Sequence, residues 1–282
     1  MIRFSVIIPA YKARHLRAAI ESVLCQDYQD YELIVYDDAS PEPVPGIVEV
    51  FSDPRIQYLR SLRNLGASDP THSWNAALSL AQGEFVNLLG DDDLLDCNFL
   101  SEMDALIARQ PGADIYRSRL RRIDESGCPM AFGFPLAERE SWDEFLYFRN
   151  TELRSHSTAE MCLRTSALRE IGGWAAMPVA IGSDDLTYMA LASRSMIVST
   201  NATWASWRTH RRQVSRSRKL EGQRLRALTV LGAAERDFIE SNNAPTIPQH
   251  LLLQKLPGSE SRPVKDRVRS WLAMVAGFFG IE

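Results

Sequence analysis

A chain of 282 residues that is 45% apolar, 24% charged and 9% aromatic has the make-up of a globular protein. Disordered, collagen-like and mucin-like classes are excluded, and the length gives one large domain or two small ones. Lys and Arg number 32 against 36 Asp and Glu, a net charge of −4. That balance argues against a nucleic-acid partner, whose binding domains are usually basic.

The first predicted element is a strand at Phe4-Ser5-Val6-Ile7-Ile8, an apolar run closed by Pro9. Leu16, Ala19, Ile20, Val23 and Leu24 recur at helical spacing, which predicts an amphipathic helix over 14–25. Leu33 to Tyr36 is the next strand and ends in Asp37-Asp38, completing a βαβ unit. Residues 41–46 read as a stiff loop, and Arg55 to Leu59 alternates like a strand. Asp69-Pro70 predicts the start of a helix running to Gly83. Glu84 to Leu89 is a strand that runs straight into Gly90-Asp91-Asp92-Asp93.

Farther on, a helix is expected near 98–109, a strand near 113–120 and a loop-rich stretch over 124–140. Glu160 to Leu163 reads as a strand, followed by a helix ending at Gly172-Gly173. Residues 186–193 read as helix, and 195–200 and 204–208 as extended. A long helix is expected over 217–240, then a linker punctuated by Pro245, Pro248, Pro257 and Pro263, then a last helix from 264.

Cys25, Cys97, Cys128 and Cys162 show no paired spacing for zinc or redox work, so a reducing compartment is expected. The opening residues read as strand rather than signal peptide. The longest apolar run, Trp271 to Ile281, falls short of the ~18 residues of a membrane span. Both point to a cytoplasmic location.

Chemistry concentrates in three acidic clusters. Ligands of open parallel sheets bind beyond the carboxyl ends of the strands. Asp37-Asp38 and Asp91-Asp92-Asp93 both stand at such ends. Three adjacent carboxylates repel one another unless a cation offsets them, and oxygen ligands at that density suit Mg²⁺ or Mn²⁺ with phosphate oxygens. Asp184-Asp185 opens a helix after Gly182-Ser183. Acids there favour the helix dipole, and a carboxylate so placed also suits deprotonation of a hydroxyl. Between 205 and 226 there are eight Lys or Arg and one acid, a solvated face or a surface for anionic lipid.

The ordered set of motifs resembles the family 2 glycosyltransferases, inverting enzymes with the GT-A fold. The residues that carry it are Ser5 to Tyr11, Glu21-Ser22-Val23-Leu24 with Gln26, Tyr31 to Ser40, and Asn64-Leu65-Gly66. Gly83-Glu84-Phe85-Val86 leads into the acidic run. Leu168 to Trp174, Asp184-Asp185, and Arg208 with His210 and Gln213-Val214-Ser215 complete it, over about residues 4–215.

The resemblance implies an α/β fold, a Rossmann-like nucleotide-binding βαβ sheet sandwich over 1–215, with a helical C-terminal extension over 216–282. It implies that Pro9, Ala10 and Tyr11 line the nucleotide base, that Asp38 hydrogen-bonds it, and that Asp91 lies near the ribose. Asp92 matches the metal-binding aspartate, with Asp93 beside it and His210 completing the site around Mn²⁺ or Mg²⁺. Asp185 matches the general base, with Asp184 as its neighbour. The implied reaction moves a sugar from a nucleotide-sugar donor, a UDP-sugar first, to a hydroxyl of a glycan or lipid-linked acceptor. Surface polysaccharide assembly in bacteria is the family's commonest setting.

Three departures bear on the donor contacts. Gly90 stands where the family often has Asp, Ser73-Trp74-Asn75 replaces Ala-Arg-Asn, and the base pair is Asp-Asp rather than Glu-Asp. The first two, the missing Asp and the missing Arg, motivate a rival reading, a degenerate member that binds nucleotide or a partner without turnover, which intact Asp92, Asp185 and His210 oppose. A sugar nucleotidyltransferase is the other rival, and it lacks the expected Gly-rich loop after the first strand. Trp174, Trp204 and Trp207 are candidates for a sugar platform or for core packing. The 264–282 helix is amphipathic enough for peripheral contact with the inner face of a membrane, or for docking on a partner.

Overall fold

Residues 4–8, apolar but for Ser5, are buried throughout because both faces of their strand are covered. The computed structural model describes residues 2–66, 69–209 and 221–257. Its first half comprises β1 (Phe4–Ala10), α1 (Leu16–Leu24), β2 (Tyr31–Asp37), α2 (Val44–Val48), β3 (Ile56–Arg60), α3 (Thr71–Leu78) and β4 (Phe85–Leu88). β1 pairs in parallel with β2 (Val6 opposite Leu33) and with β4 (Phe4 opposite Phe85), and β3 extends the sheet beside β2.

The second half continues the same sheet. It contains β5 (Leu94–Leu95), α4 (Phe99–Arg109), β6 (Ile115–Ile123), β7 (Pro129–Phe132), β8 (Arg139–Glu140), α5 (Trp142–Asn150), β9 (Met161–Arg164), α6 (Thr165–Glu170), α7 (Ser183–Ala192) and β10 (Ile197–Arg208). The strand order is β3-β2-β1-β4-β9-β6-β10-β5. β9 is antiparallel to both neighbours, so β6 and β10 point the same way as β1 and β4. Their carboxyl ends therefore share one edge with the reversal of strand order between β1 and β4, where such sheets bind ligands.

Alternation sorts the core into two layers. Phe4, Val6 and Ile8 pack with α1 and α4 through Leu16, Ile20, Phe99 and Met103. Ile7 and Ile34 face the other layer, with Ala77, Trp142, Phe145, Leu168 and Tyr188. Leu252 and Leu256 join that second layer, as does Ile239, from the extension formed by α8 (Glu221–Ser241) and α9 (Gln249–Leu253).

Several elements differ from expectation, each for a physical reason. α3 stops at Leu78 rather than near Gly83: the N–H groups of Leu80 and Ala81 bond three residues back, and those of Gln82 and Gly83 donate instead to Glu32 Oε1 and Ser5 Oγ, at 2.6 and 2.8 Å. Arg169 Nη2 bonds the carbonyls of Leu78 and Ala81. Asp69 does accept the Thr71 N–H, at 2.9 Å. The 41–46 loop ends in α2, anchored by buried Val44 and Val48. The stretch 124–140 contains the hairpin strand β7, paired with β6, and β8, paired with β10. α5 follows directly, its start fixed by a capping box between Ser141 and Glu144. The two late extended pieces are one strand, β10. Residues 245–257 are no linker: Asp143 Oδ2 on α5 accepts the N–H groups of Thr246 and Ile247, at 2.8 and 2.6 Å.

The cysteine reading is also corrected. Cys25 and Cys97, 72 positions apart, are disulfide-bonded with their Cα atoms 5.3 Å apart. The end of α1 is thereby linked to the segment just after the acidic run, and the inference of a reducing compartment loses its basis. Cys162 is buried and Cys128 exposed, both free. The predicted helix from 264, the start of the 217–240 helix and His210 lie outside the described residues. Among the described residues no helix is long and apolar enough to cross a membrane.

Candidate active site

The acidic run begins where β4 ends, and backbone donors from neighbouring strand ends hold it. Asp91 Oδ2 accepts the N–H groups of Tyr11 and Lys12, at 2.9 and 2.7 Å, which fixes the loop after β1 against the loop after β4. Burial and the charge of Asp92 push Asp91 up to about 6, against the pull of those two N–H groups. Asp93 is buried and accepts the backbone N–H of Arg208 at 2.9 Å. Burial and the Asp92 charge hold Asp93 well above the usual carboxylate range.

Arg208 closes the far side. Its Nε donates to the carbonyl of Asp92 at 2.7 Å and its Nη1 to the carbonyls of Asp124 and Glu125, at 2.9 and 3.1 Å. The position of Gly90 follows from this crowding. A Cβ there would lie 2.9 Å from Asp93 Oδ2 and 3.3 Å from Asp92 Oδ1, so the carboxylates of Asp92 and Asp93 fold back over residue 90.

The second acidic pair divides its tasks. Asp37 is fully buried and accepts from Ser40 N at 2.8 Å, Tyr58 Oη at 2.7 Å and Arg60, so it secures β2 to β3. Asp38 receives the N–H groups of Leu65 and Gly66, each at 2.7 Å. Ser40 Oγ donates to the Tyr11 carbonyl at 2.6 Å, which draws the loops after β1 and β2 together. Tyr11 is exposed at this edge, Pro9 is half-buried and Ala10 is buried.

The third pair opens α7, which leads into β10 after a four-residue connection; its N-terminus thus lies toward the carboxyl edge of the sheet. Asp184 is 24% exposed and receives His156 Nε2 at 3.0 Å on Oδ2. Asp185 is 1% exposed, with Arg149 Nε at 3.0 Å and His156 Nε2 at 3.2 Å on Oδ1. Burial works against ionisation of Asp184, but His156 and Arg149 outweigh it and its pKa falls below the ordinary value. For Asp185 burial wins over Arg149 and His156, and the pKa is raised. Behind the pair, Glu235 of α8 is fully buried, bonded to Asn150 Nδ2 at 2.8 Å, and raised to about 8 by burial and the Asp185 charge.

Arg149, His156 and Glu235 were absent from the sequence reading. They sit in stretches without a motif, and only the docking of α5 and α8 on α7 brings them to the acids. The tryptophans separate as well. Trp174 is core, with Asn75 bonding its backbone N–H and carbonyl at 2.8 and 2.9 Å; this explains the Asn of Ser73-Trp74-Asn75. Trp204 stacks under Arg119, 3.8 Å from its ring centroid, and against exposed Phe132. Trp207 is half-buried against the β1 layer.

The sequence profile described as "Glycosyl transferase family 2" matches residues 5–171. The chain belongs to that family. Among solved structures it resembles Staphylococcus aureus TarS 1–349 in complex with UDP-GlcNAc, with a TM-score of 0.66 at 18% identity over 90% of this chain and 71% of that one. It also resembles the mannosyltransferase PcManGT of Pyrobaculum calidifontis in complex with GDP-Man and Mn²⁺, with a TM-score of 0.58 at 17% identity over 96% of this chain and 80% of that one. At these identities the likeness establishes the GT-A fold.

Among characterised relatives, Escherichia coli WfgD, a UDP-Glc:α-D-GlcNAc-diphosphoundecaprenol β-1,3-glucosyltransferase, is 40% identical over 97 residues, 34% of this chain and 37% of that protein. A Campylobacter jejuni GalNAc(5)-diNAcBac-PP-undecaprenol β-1,3-glucosyltransferase is 37% identical over 106 residues, 36% of this chain and 34% of that protein. The matched segment spans about a third of these relatives' length.

For this family 2 glycosyltransferase a divalent cation has two places to be tested. His156, Asp184 and Asp185 offer ligand atoms within 4.8 Å of one another, but Arg149 already balances Asp185. The 91–93 run fits better. Its hard oxygen donors crowd over Gly90, and burial together with the Asp92 charge, which raise Asp91 and Asp93, is the cost a cation would offset.

Proposed function

We propose that this chain catalyses inverting transfer of one sugar from a nucleotide-sugar donor to a hydroxyl of a phosphate-bearing glycan or lipid-linked acceptor. The topology carries it: Asp91-Asp92-Asp93 follow β4, and partly exposed Asp184 opens α7, which precedes β10 running the same way as β4, so both acids belong to the carboxyl edge of the sheet. Two of the relatives named above act on undecaprenol diphosphate acceptors, and TarS is a poly(ribitol-phosphate) transferase. In this reading the loops after β1 and β2 seat the nucleotide through Pro9, Ala10, Tyr11 and Asp38, with Asp91 near the ribose.

Asp92, with Asp93 beside it and His210, would hold Mn²⁺ or Mg²⁺, which when bound neutralises the leaving diphosphate as a Lewis acid. Asp93 serves more as an anchor than a ligand, because Arg208 occupies its Oδ1. Asp184 takes the acceptor proton and becomes neutral, while His156 Nε2, 3.0 Å from its Oδ2, orients the carboxyl group. Asp185 is the family's matching position, yet Arg149 and burial make it the support that orients the start of α7. One displacement at the anomeric carbon from the face opposite the leaving group inverts the configuration, so a single base suffices.

Residues 1–215 form the catalytic part in this proposal, and 216–282 an extension whose α8 backs the Asp185 side. We place the reaction at a membrane face, where lipid-linked acceptors are presented; the Cys25–Cys97 link removes the cysteine argument for its cytoplasmic side. A panel of UDP-, GDP- and TDP-sugars, followed by release of nucleoside diphosphate with and without Mn²⁺, tests the reading. Metal-stimulated release from one donor is expected; nucleotide binding without turnover of any donor would instead establish the degenerate, non-catalytic reading.

A further inference from the structure

Outside the acidic edge, the described residues enclose a cavity of about 250 Å³ between the β6–β7 hairpin and the segment 153–155. It is smaller than the ~300–1,000 Å³ clefts that hold drug-sized ligands, and suits a single sugar ring. Its floor is a buried ion network. Arg117, 1% exposed, lies 2.9 Å from Glu160 Oε1 and 3.1 Å from Glu140 Oε2, and Arg154 also pairs with Glu140.

Two features of the lining are left over. Glu160 is fully buried, and its Oε2 has no hydrogen-bond partner. An unmet carboxylate oxygen in a buried site is costly, and a hydroxyl or N–H of a ligand would remove that cost. Arg117 and Arg154 are balanced by Glu140 and Glu160, whereas exposed Arg122 at the rim has no carboxylate partner among the described residues. Phe132 and Phe134, 61% and 70% exposed, stand beside it. Exposed aromatic faces in a rim suit the C–H face of a sugar.

Both walls of the cavity continue in sequence into residues that hold the acidic edge. Segment 153–155 runs directly into His156, which holds Asp184. β6 runs into Asp124 and Glu125, whose carbonyls Arg208 ties to the Asp92 loop.

We infer that this cavity binds the acceptor through a sugar ring that carries an anionic group, with Glu160 Oε2 accepting a ring hydroxyl and Arg122 facing the negative charge. This rests on the transfer reading for its role, but the binding itself is testable without a donor.

The experiment titrates the full chain, without nucleotide, with N-acetylglucosamine 1-phosphate, glucuronic acid, N-acetylglucosamine and inorganic phosphate, followed by Trp fluorescence and calorimetry. At least one anionic sugar binds about tenfold more tightly than both the neutral sugar and inorganic phosphate, as expected for a charge-assisted contact. A preference for the 1-phosphate assigns the anion to a phosphate, and a preference for the uronate assigns it to a carboxylate; either supports the site. Arg122→Ala and Phe134→Ala, both at the exposed rim, weaken that binding about tenfold, and Glu160→Gln weakens it with the melting profile checked alongside.

Equal binding of the neutral sugar, equal binding of inorganic phosphate, no binding at millimolar concentration, or rim variants that bind like wild type would each overturn the inference. Failure of the wild-type chain to turn over any nucleotide sugar would sink the transfer reading and leave this ligand site standing.

Discussion

His156 Nε2 lies 3.0 Å from Asp184 Oδ2, and the same nitrogen lies 3.2 Å from Asp185 Oδ1. One imidazole thus spans both acids of the pair, while Arg149 engages Asp185 alone. The two carboxylates are therefore not equivalent, although the sequence presents them as neighbours of one kind. Asp184 can be reached from solvent; Asp185 is sealed behind a guanidinium.

This asymmetry sets the first prediction. Asp184→Asn removes the proton acceptor and lowers kcat by about 100- to 10,000-fold with nucleotide affinity near wild type, and its melting temperature falls because the His156 pairing that lowers the Asp184 pKa is lost. Asp185→Asn breaks a buried ion pair, so its melting temperature falls and kcat falls with it. Steady-state kinetics beside thermal melts decide the matter: an Asp184→Asn enzyme with wild-type kcat returns the base role to Asp185.

Gly90 carries the second. Arg208 fixes Asp93 from the backbone, so the Asp93 carboxylate cannot yield to a Cβ 2.9 Å away. Gly90→Ala displaces the oxygens of Asp92 and Asp93, and forced overpacking of this kind costs about 1–3 kcal/mol. Mn²⁺-dependent UDP binding is expected to weaken about tenfold or more, read by calorimetry. Gly90→Asp, which restores the residue more frequent in the family, weakens it further rather than repairing it. Unchanged UDP affinity in Gly90→Ala would show that the run over Gly90 does not hold the cation.

How much of this was legible depends on the range of the cause. β1 and β4 were readable because burial on both faces leaves runs at Phe4–Ile8 and Phe85–Leu89 that are apolar except for one small polar residue each, Ser5 and Asn87. The acidic run after β4 was readable because three charges in sequence are costly without a reason. α5 was missed, although Ser141 and Glu144 carry the spacing of a capping box just before an aromatic-rich segment. Its Arg149 and the nearby His156 could not be assigned from sequence, because their partners Asp184 and Asp185 lie some 30 residues away on another helix. The end of α3 shows the same limit in reverse: the N–H groups of Gln82 and Gly83 that would have continued it donate to Glu32 and Ser5, some 50 and 78 positions earlier on β2 and β1.

The Cys25–Cys97 link gives the third prediction. Closing a loop across 72 positions stabilises mainly by restricting the unfolded chain, typically by about 2–4 kcal/mol. Dithiothreitol is expected to lower the unfolding free energy of the wild-type chain by that amount, read as a downward shift of its urea midpoint. Cys97→Ser should start from the lower midpoint and respond to dithiothreitol no further. A wild-type midpoint insensitive to reductant, with two titratable thiols beyond Cys128 and Cys162, would show that the pair is not bonded in solution.

The last prediction concerns pH. Burial and the charge of Asp185 raise Glu235 from an ordinary 4.5 to about 8 in the folded chain. Between those values the native state holds a proton that the unfolded state has released. The native state therefore binds more protons, and stability must fall as pH rises. The contribution is fully present below about pH 4.5 and is lost as pH climbs through about 8, with a slope of at most about 1.4 kcal/mol per pH unit from this one group. Glu235→Gln keeps an oxygen for Asn150 Nδ2, now 2.8 Å away, and removes the titration. Urea midpoints at about pH 5 and about pH 8 should therefore converge in the variant and diverge in the wild type. The gain in the variant should appear at the alkaline end, because there the wild type has to bury a second negative charge beside Asp185. A variant that loses stability at about pH 8 would mean that Glu235 is ionised in the folded chain and compensated by Arg149, which lies on the same carboxylate cluster.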